Sequence, residues 1–454
     1  MRSTPARQTA PVGGELPAAG ELERLVEQAL ERARAEGASA AEAGANVADG
    51  LSVNARLGEV ETIEYQRDRS LAVTVYAGQS TGSAATSDFR EQAVQETVAA
   101  AVRIARFTSD DPHAGLADVA RLASHFPDLD LHHPWGIDAE GASERALACE
   151  QAARADARIT NSEGAGVSAQ AALATYANSH GFLASTHGTR HGIDCAVIAG
   201  QGEAMQRDFW YTTARSPDEL EAPADVGGQA AQRALARLGA DQIETTECPV
   251  LFAPAMARSL LGHLVGAVRG SALYREASFL AGRRGERLFP GFVRIHEQPH
   301  LRRGLGSCAF DQEGVATTPR DLVADGVLQG YVLDSYSARR LGLETTGNAG
   351  GVHNLTLEPG SDDFDALVRR MHRGLIVTEM MGMGVNTVTG DYSRGAAGFW
   401  VENGAIVKPV QEVTVAGDLE SLFAGITAVG NDLDTRASIR SPSVLVERMT
   451  VAGG

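Results

Sequence analysis

The first half of the chain repeats one order of sequence patterns, and this order limits the fold more than any single motif. ELERLVEQALERARAEG places its apolar residues on one face of an amphipathic helix that ends at Gly37. From Glu42 to Ser87 the pattern changes to short alternating runs separated by glycine, which predicts an antiparallel meander. DFREQAVQETVAAAVRIAR then predicts a second helix, with Ser87 or Asp88 as its N-cap.

The same order returns after residue 140. A helix near SERALACEQAARAD, strand-like segments from Arg158 to about Thr213 and a helix near GGQAAQRALARL follow one another. We therefore interpret residues 20–245 as an N-terminal α+β domain, and we raise the hypothesis that it contains an internal structural duplication. Residues 1–19 are expected to form a disordered tail.

The pattern changes again past Cys248, and a domain boundary is expected near residues 241–249. One helix is predicted from Pro254 to Arg269, because proline is well tolerated at the first helical position. Many short strands and glycine turns follow. Residues 246–454 are thus expected to form a β-rich, mostly antiparallel domain, and the whole chain is assigned to the α+β class.

The composition excludes several classes of protein. A chain with 43% hydrophobic and 22% charged residues is typical of soluble globular proteins. The net charge of −18, without any Lys/Arg-rich patch, argues against a nucleic-acid partner. No stretch has the length of a membrane-spanning helix, and the N-terminus lacks the apolar core of a signal peptide. We therefore expect a cytoplasmic protein with no membrane partner.

The cysteines do not indicate a disulfide framework or a metal site. Cys149, Cys195, Cys248 and Cys308 lie far apart in the sequence and form no C-x-x-C pair. They are predicted to be reduced thiols, most of them buried.

Residues 296–300 read HEQPH and match the HExxH pattern of zinc proteases. That pattern works because two histidines four residues apart share one face of a helix and bind zinc together. Pro299 lies inside the match and would interrupt a helix at a cost of about 3 kcal/mol. We interpret the segment as a strand that runs into a proline turn. The alternative is a zinc site in which His296 and His300 are joined by a third ligand such as His353.

Residues 78–82 read GQSTG and match the G-x-S-x-G pattern of a nucleophile elbow. A nucleophile elbow needs a strand, a strained turn and a helix that starts directly after the serine. The residues that follow are SAATS, and the predicted helix begins only at about Asp88. A β-hairpin turn is therefore predicted at this position.

Two glycine-rich stretches, TGNAGGVHN and TGDYSRGAAGFWVENG, match neither a Walker loop nor a dinucleotide-binding fingerprint. Turn formation explains their glycines. It does not explain the polar residues among them, and loops on a rigid scaffold often carry binding. The candidates for contact with a substrate or a partner are Asn348, His353, Asp391, Tyr392 and Arg394.

The second half of the chain contains several long blocks of a known family. They read SALYREASFL, LFPGF, PHLRRGLGSCAFDQEGVAT, RDLVADGVLQGYVLDSYSARRLGL, TTGNAGGVHNL, VTEMMGMGVNTVTGDYSRGAAGFWVENG and AVGNDLDTRASI. These blocks resemble the PmbA/TldE branch of the TldD/PmbA family over nearly all of residues 250–454. The N-terminal half fits more loosely, in length and helix placement.

The resemblance implies paired subunits that form a cytoplasmic metallopeptidase acting on unfolded or flexible peptides. In the TldD-type subunit a helix carries HExxxH, whose histidines bind the metal and whose glutamate serves the hydrolysis. The matching helix here reads SLLGHLVGAVRGSALYR. When it is aligned on its Leu-Leu pair, the first histidine falls on Gly262, the glutamate on His263 and the second histidine on Ala267.

Glycine and alanine have no ligand atoms, so the resemblance implies a non-catalytic subunit without a metal of its own. Zinc or another divalent metal is expected in the TldD-type partner. His263 is interpreted as a core or interface histidine, with a vestigial ligand as the alternative.

Unfolded peptides would be the substrates, and main-chain hydrogen bonds to an extended peptide would give sequence-tolerant recognition. Two alternatives stay open. The first is an autonomous zinc metallopeptidase that uses His296 and His300, and the second is a homodimeric binding protein without peptidase activity. A homodimer of the isolated chain is also compatible with the resemblance to this family.

Overall fold

The computed structural model describes residues 16–453, so most of the predicted tail lies outside the described residues. The chain divides into two compact units. The first holds the chain through Leu122, Asp130–Gln201 and Met205–Leu235, and the second holds Ala123–Leu129, Gly202–Ala204 and the chain from Ala236 onward. No helix between residues 16 and 453 is long and apolar enough to cross a membrane.

The first unit is built on one six-stranded sheet with helices packed against it. Its elements are α1 (Ala19–Ala35), β1 (Ala40–Arg56), β2 (Glu59–Ala77), β3 (Ser80–Thr86), α2 (Glu91–Phe107), α3 (Ala139–Ala153), β4 (Ile159–Asn178), β5 (Leu183–Ala199), β6 (Gln206–Ala214) and α4 (Pro223–Ala236). All neighbouring strands are antiparallel, in the order β3-β2-β1-β4-β5-β6. The predicted meanders and their flanking helices are therefore confirmed.

The element order α-β-β-β-α occurs twice in this unit. The two three-stranded meanders meet along β1 and β4, which pair as antiparallel neighbours at the centre of the sheet. The strand orders of the two halves agree, β1-β2-β3 and β4-β5-β6, each running from the centre of the sheet to one edge. Duplication of an ancestral segment stays a hypothesis.

The predicted N-cap of α2 is wrong by two to three residues. The helix begins at Glu91, and the residue before it, Arg90, is extended and has no side-chain cap. The Asp88 carboxylate accepts a hydrogen bond from the Arg90 backbone N–H at 3.0 Å and ion-pairs with the Arg90 guanidinium. Asp88 therefore closes a local turn ahead of the helix instead of capping it.

The G-x-S-x-G match is a β-hairpin, as predicted. Gly78 and Gln79 join β2 to β3, and Gly78 adopts φ +67°, which suits glycine in a tight turn. The Ser80 hydroxyl lies 2.8 Å from the Thr108 carbonyl and 2.7 Å from a carboxylate oxygen of Asp110. Ser80 is thus a buried strand residue and not an exposed nucleophile.

The second unit contains short helices and two sheets. Its elements are β7 (Thr246–Phe252), α5 (Pro254–Val268), α6 (Gly270–Leu273), β8 (Ile295–Glu297), β9 (Arg320–Ala324), β10 (Val327–Leu328), α7 (Ser335–Leu341), β11 (Leu355–Leu357), α8 (Phe364–Met371), β12 (Gly374–Met381), β13 (Asp391–Glu402), β14 (Ala405–Asp418), α9 (Leu419–Ala424), β15 (Ile426–Val429), β16 (Ile439–Arg440) and β17 (Val444–Ala452).

One sheet of this unit has the strand order β10-β9-β8-β11-β16, and the other has the order β14-β13-β12-β7-β17-β15. In the larger sheet β14 also pairs with β17, so the sheet curls back on itself. The pairs β7–β12 and β11–β16 are parallel, and the other strand pairs are antiparallel. The α+β class is confirmed. The main core of the unit joins apolar residues of α5 to apolar residues of both sheets.

Candidate functional site

Helix α5 positions the residues that align with the HExxxH motif. It spans Pro254–Val268, one residue shorter at its C-terminal end than predicted, with Pro254 in the first turn. Its buried face includes Leu260, Leu261 and Leu264, which join the core of the second unit. The helix ends where Arg269 turns to an extended conformation, with φ −71° and ψ 134°.

The three positions that align with the motif face different surroundings. Gly262 and His263 are half-buried, whereas Ala267 is completely buried. A Cβ atom added at Gly262 would meet no atom within 4 Å, so this position faces open space. Neither Gly262 nor Ala267 has a side-chain atom that binds a metal, so these residues do not fit a metal ion.

His263 packs against Tyr392 of strand β13. The two rings meet edge to face, with centroids 5.9 Å apart and an interplanar angle of 77°. The Nε2 atom of His263 is buried and has no hydrogen-bond partner among residues 16–453. Burial, and secondarily the charge of Arg394, lowers the pKa of His263 below its usual value. The imidazole is therefore neutral near neutral pH.

Tyr392 is a core residue, only 1% exposed. Its hydroxyl donates to the Met380 sulfur at 3.1 Å, and burial raises the pKa of Tyr392 to about 12. The predicted role of Tyr392 in contact with a substrate or partner stays a prediction. By packing against the His263 ring, the buried Tyr392 side chain supports the exposed residues around it.

Arg394 lies two residues after Tyr392 and therefore on the same face of β13. It is half-buried, and its Nε atom is buried without a hydrogen-bond partner. Among residues 16–453, no acidic side chain forms an ion pair with Arg394. The structure thus brings together two residues that the sequence singled out for separate reasons, His263 and Arg394.

A shallow depression lies beside Tyr392. It has a volume of 510 Å³ and is lined by residues 383–386, 391–393 and 416–417. Met383 of its rim is 96% exposed, and Met381, two residues earlier in the chain, is 46% exposed. Methionine side chains are flexible and polarizable, so such a rim accommodates apolar groups of varied shape. The sequence analysis missed these methionines, although MMGM between a strand and a glycine turn was the available signal.

The HEQPH segment forms a strand and a turn, as predicted. His296 and Glu297 belong to β8, so their side chains point to opposite faces of the sheet. The Nε2 atom of His296 lies 2.8 Å from a carboxylate oxygen of Glu358. His300 lies past the strand, with its Nε2 atom 3.2 Å from the Thr317 hydroxyl. The helix that would direct both imidazoles at one ion is absent from this segment.

Glu297 organises a buried polar network that the sequence analysis missed. One carboxylate oxygen accepts from Arg320 Nε at 2.6 Å, and the other accepts from the His353 backbone N–H at 2.8 Å and the Asn348 amide at 2.9 Å. Glu297 is 2% exposed. The network ties the TGNAGGVHN loop to strand β8, with Asn348 buried and His353 half-buried.

The His353 side chain is held by two further contacts. Its Nε2 atom lies 2.9 Å from the Gly347 carbonyl, and its Nδ1 atom lies 3.2 Å from the Cys308 sulfur. Nε2 therefore donates to the carbonyl, and Nδ1 is left to accept from the thiol. Burial raises the pKa of Cys308 to about 12, so the pair lacks the thiolate that a cysteine nucleophile needs. The prediction that Asn348 and His353 contact a ligand stays untested.

The cysteines agree with the prediction of free, mostly buried thiols. Cys149, Cys195 and Cys248 are buried, and Cys308 is half-buried. Across residues 16–453, no group of three or more His, Cys, Asp or Glu side chains is arranged to hold a metal ion.

Family models match the chain in three consecutive segments. They describe PmbA/TldA metallopeptidase domain 1 at residues 41–105, the central domain at residues 132–238 and the C-terminal domain at residues 245–453. Metalloprotease PmbA of Escherichia coli O157:H7 is 46% identical over 95% of this chain and 96% of its own length. A TldD homolog from Haemophilus influenzae is 26% identical over 50% of this chain and 52% of its own.

The fold also matches a solved structure. A crystal structure of a protein from Bacteroides thetaiotaomicron VPI-5482 superposes with a TM-score of 0.91 at 28% sequence identity. The superposition covers 96% of this chain and 99% of that chain. The similarity therefore extends through both units of the chain.

Proposed function

The chain belongs to the PmbA branch of the PmbA/TldD metallopeptidase family, and from this premise we propose that it is a non-catalytic subunit of a peptidase complex. Its partner is a TldD-type chain that supplies the metal, zinc or another divalent ion, and the catalytic glutamate. Together the two subunits hydrolyse unfolded or flexible peptides in the cytoplasm. A homodimer of the isolated chain stays a prediction.

The observation that carries this proposal is the composition of α5. At the positions that align with HExxxH the helix has Gly262, His263 and Ala267, and two of these have no atom that binds a metal. Hydrolysis of a peptide bond by a metallopeptidase needs a polarised water and a base held beside it. Gly262 and Ala267 have no atom that binds a metal, and His263 alone cannot replace two histidines and a carboxylate, so both functions are assigned to the partner.

The surroundings of α5 support a role in binding peptide. The depression beside Tyr392 and the exposed Met381 and Met383 form an adaptable surface, which suits substrates of varied sequence. Arg394 adds a positive charge on the face of β13 that Tyr392 shares. We assign peptide or partner contact to Arg394 and its neighbours, and we keep Asn348 and His353 as weaker candidates because Glu297 and Cys308 already engage them.

An autonomous zinc peptidase lacks comparable support. A protein atom lies at hydrogen-bond distance from the Nε2 atom of each of His296, His300 and His353. His296 lies on strand β8, so the segment lacks the helix that would bring the side chains of His296 and His300 together. A homodimeric binding protein without peptidase activity remains as the competing class, since it also needs no metal ligands. The reconstitution below distinguishes the two classes.

The test is reconstitution of peptide cleavage. A TldD-type subunit is held at constant concentration and titrated with this chain in the presence of an unstructured peptide. We expect the cleavage rate to rise and to saturate as the complex forms, while this chain alone shows no activity. Full activity of the TldD-type subunit alone, unchanged by this chain, would contradict the proposal.

A further inference from the structure

Within residues 16–453, Arg394 is a cation without a counterion, although the chain has an excess of acids. The sequence contains 58 acidic and 40 basic residues. Even so, within residues 16–453 no carboxylate and no carbonyl accepts a hydrogen bond from Arg394, whose Nε atom is buried. Leaving a buried donor without an acceptor costs free energy that a bound acceptor would recover. Arg394 is therefore arranged to bind an acceptor from outside the chain.

His263 adds a second unpartnered polar atom. Its Nε2 atom is also buried and has no hydrogen-bond partner among residues 16–453. The Arg394 charge acts on His263, and Tyr392 packs against the His263 ring, so the two unpartnered groups are neighbours. One neutral imidazole and one guanidinium together provide a positive charge and several N–H groups.

Neither α5 nor the facing position on β14 offers Arg394 an acid. Helix α5 contains no acidic residue between Pro254 and Val268. On β13 the nearest acid is Asp391, which alternates to the other face of the strand and accepts a hydrogen bond from the Thr389 hydroxyl. The partner of Arg394 on the neighbouring strand β14 is Val415, an apolar residue.

The group is also accessible. Gly262 precedes His263 on α5 and has open space where a side chain would stand. A ligand would reach the His263–Arg394 group through this open space.

We infer that Arg394 and His263 form a binding site for a carboxylate of the peptide substrate. The guanidinium fork of arginine matches the two oxygens of a carboxylate, and the imidazole N–H supplies an additional donor. The carboxylate is either the peptide C-terminus or an Asp or Glu side chain. The identification of the ligand as a peptide rests on the proposed function; the carboxylate chemistry rests on the two residues.

The first test measures binding to the full chain without a partner. Histidine labelled with ¹³C at Cε1 reports His263 by NMR, and the His263→Gln variant assigns its resonance. N-acetylglycine represents a C-terminal carboxylate, N-acetylglutamic acid α-amide represents a side-chain carboxylate, and N-acetylglycinamide is the neutral control. We expect a saturable shift of the His263 resonance with one or both acids and none with the neutral amide. The acid that binds more tightly identifies the source.

Variants of Arg394 separate this site from unspecific binding. Arg394→Gln should weaken binding by about 10-fold or more, as expected for a charge-assisted hydrogen bond, and Arg394→Lys should restore it only in part. Arg448→Gln is the matched control, because Arg448 lies on β17 of the same sheet and forms an exposed ion pair with Glu247. The resonances of the other histidines show whether each variant is folded.

Three results would overturn the inference. They are an equal shift with the neutral amide, binding that survives Arg394→Gln, and no shift with either acid. Loss of the shift when the TldD-type partner is added would mean that a carboxylate of the partner occupies the site, which contradicts the assignment to a peptide.

A second test uses the reconstituted complex and compares peptides with free and amidated C-termini. Arg394→Gln should lower kcat/KM for the carboxylate-bearing peptide by about 10-fold or more and leave the neutral peptide nearly unchanged. Cleavage that is insensitive to Arg394 would defeat the inference and leave the proposed function standing. Carboxylate binding by the isolated chain without any reconstituted cleavage would defeat the proposed function alone.

Discussion

At the scale of single residues, Glu297 shows how a misleading motif conceals a structural role. The residue matches the glutamate of HExxH, yet its carboxylate is buried and accepts hydrogen bonds from Arg320, Asn348 and His353. A buried ion pair contributes little net stability compared with apolar packing, but removing one partner leaves the other charge buried and uncompensated. We therefore expect Glu297 to matter for the fold of the second unit.

Replacing Glu297 tests this role. Glu297→Ala should lower the free energy of unfolding by about 3–5 kcal/mol, because Arg320 loses its only carboxylate partner at hydrogen-bond distance in this network. Glu247→Ala is the control: Glu247 is 60% exposed in its pair with Arg448, and its loss should cost less than about 1 kcal/mol. Urea denaturation measures both. Equal effects of the two substitutions would contradict the assignment.

The cysteines give a second prediction at this scale. Burial raises the pKa of Cys248 to about 11 and of Cys308 to about 12, so the reactive thiolate is scarce at pH 8. Alkylation of both thiols by iodoacetamide at pH 8 should be at least about 100-fold slower in the folded chain than in denaturant. Mass spectrometry of the labelled peptides measures the rates. Rapid labelling of folded Cys308 would show that His353 activates the thiol.

The sequence identified the residues of the candidate site better than it identified their roles. Arg394, Tyr392 and His263 were each singled out, and the structure brings them together. Their burial depends on α5 packing against β13, a contact between segments more than 100 residues apart, which local patterns do not encode. The same limit concealed the partnership of Glu297 with Asn348, which lie 51 residues apart.

At the scale of elements, close helix packing explains one of two adjacent glycines in α4. A Cβ atom at Gly227 would lie 2.0 Å from the Cys149 carbonyl oxygen of α3, whereas a Cβ atom at Gly228 would meet nothing within 4 Å. Gly227→Ala should therefore destabilise the chain by about 2 kcal/mol or more, because the obstructing atom belongs to backbone.

The neighbouring substitution is the matched control for Gly227→Ala. Gly228→Ala should stabilise the chain by about 0.5–1 kcal/mol, since alanine favours helix over glycine and the position is open. Thermal or urea denaturation of the two variants in parallel measures the difference. A similar response of both variants would mean that α3 and α4 do not pack as closely as described.

The N-terminus of α7 carries a pH-sensitive contact. Glu313 accepts a hydrogen bond from the Ser335 backbone N–H at 2.9 Å, and burial raises the pKa of Glu313 from 4.5 to about 7. A raised carboxyl pKa in the folded state means that its contribution is fully present below pH 4.5 and is lost as the pH rises through 7.

The free energy of unfolding of the wild-type chain should therefore fall by up to about 3 kcal/mol between pH 5 and pH 8, because Glu313 ionises over this range. Glu313→Gln keeps the acceptor oxygen but does not ionise, so its stability should fall less over this range and exceed that of the wild type at pH 8. Urea denaturation at both pH values measures the effect, with Glu59→Gln on the exposed edge of β2 as the control. An unchanged pH dependence in Glu313→Gln would contradict the cause given for the pKa.

Long elements could be predicted from sequence, and short ones could not. Helices α1 to α5 have enough residues to show helical periodicity, and the meanders of the first unit show alternation. Strands β8, β10, β11 and β16 have only two or three residues, too few for any period to appear. Their conformation is set by pairing with segments distant in sequence, including the parallel pair of β11 and β16.

At the scale of the whole molecule, the α+β fold class and the family agree. The proposed role in peptide hydrolysis depends on the metal ligands that α5 lacks. The α+β class was predicted from the change of pattern along the chain, and the family domains extend from residue 41 to residue 453. In the proposed function this chain acts through a metal-bearing partner, because positions 262 and 267 offer no ligand atoms. The central claim is that this subunit takes part in metal-dependent peptide hydrolysis without binding the metal.

The metal content of the complex with a TldD-type subunit tests this claim most directly. Elemental analysis by mass spectrometry is applied to the isolated chain, the isolated partner and the purified complex. The account predicts metal in proportion to the partner only, lost when the histidines of the HExxxH motif in the partner are replaced and unaffected by His296→Ala in this chain. Stoichiometric metal in the isolated chain, lost on His296→Ala, would contradict it.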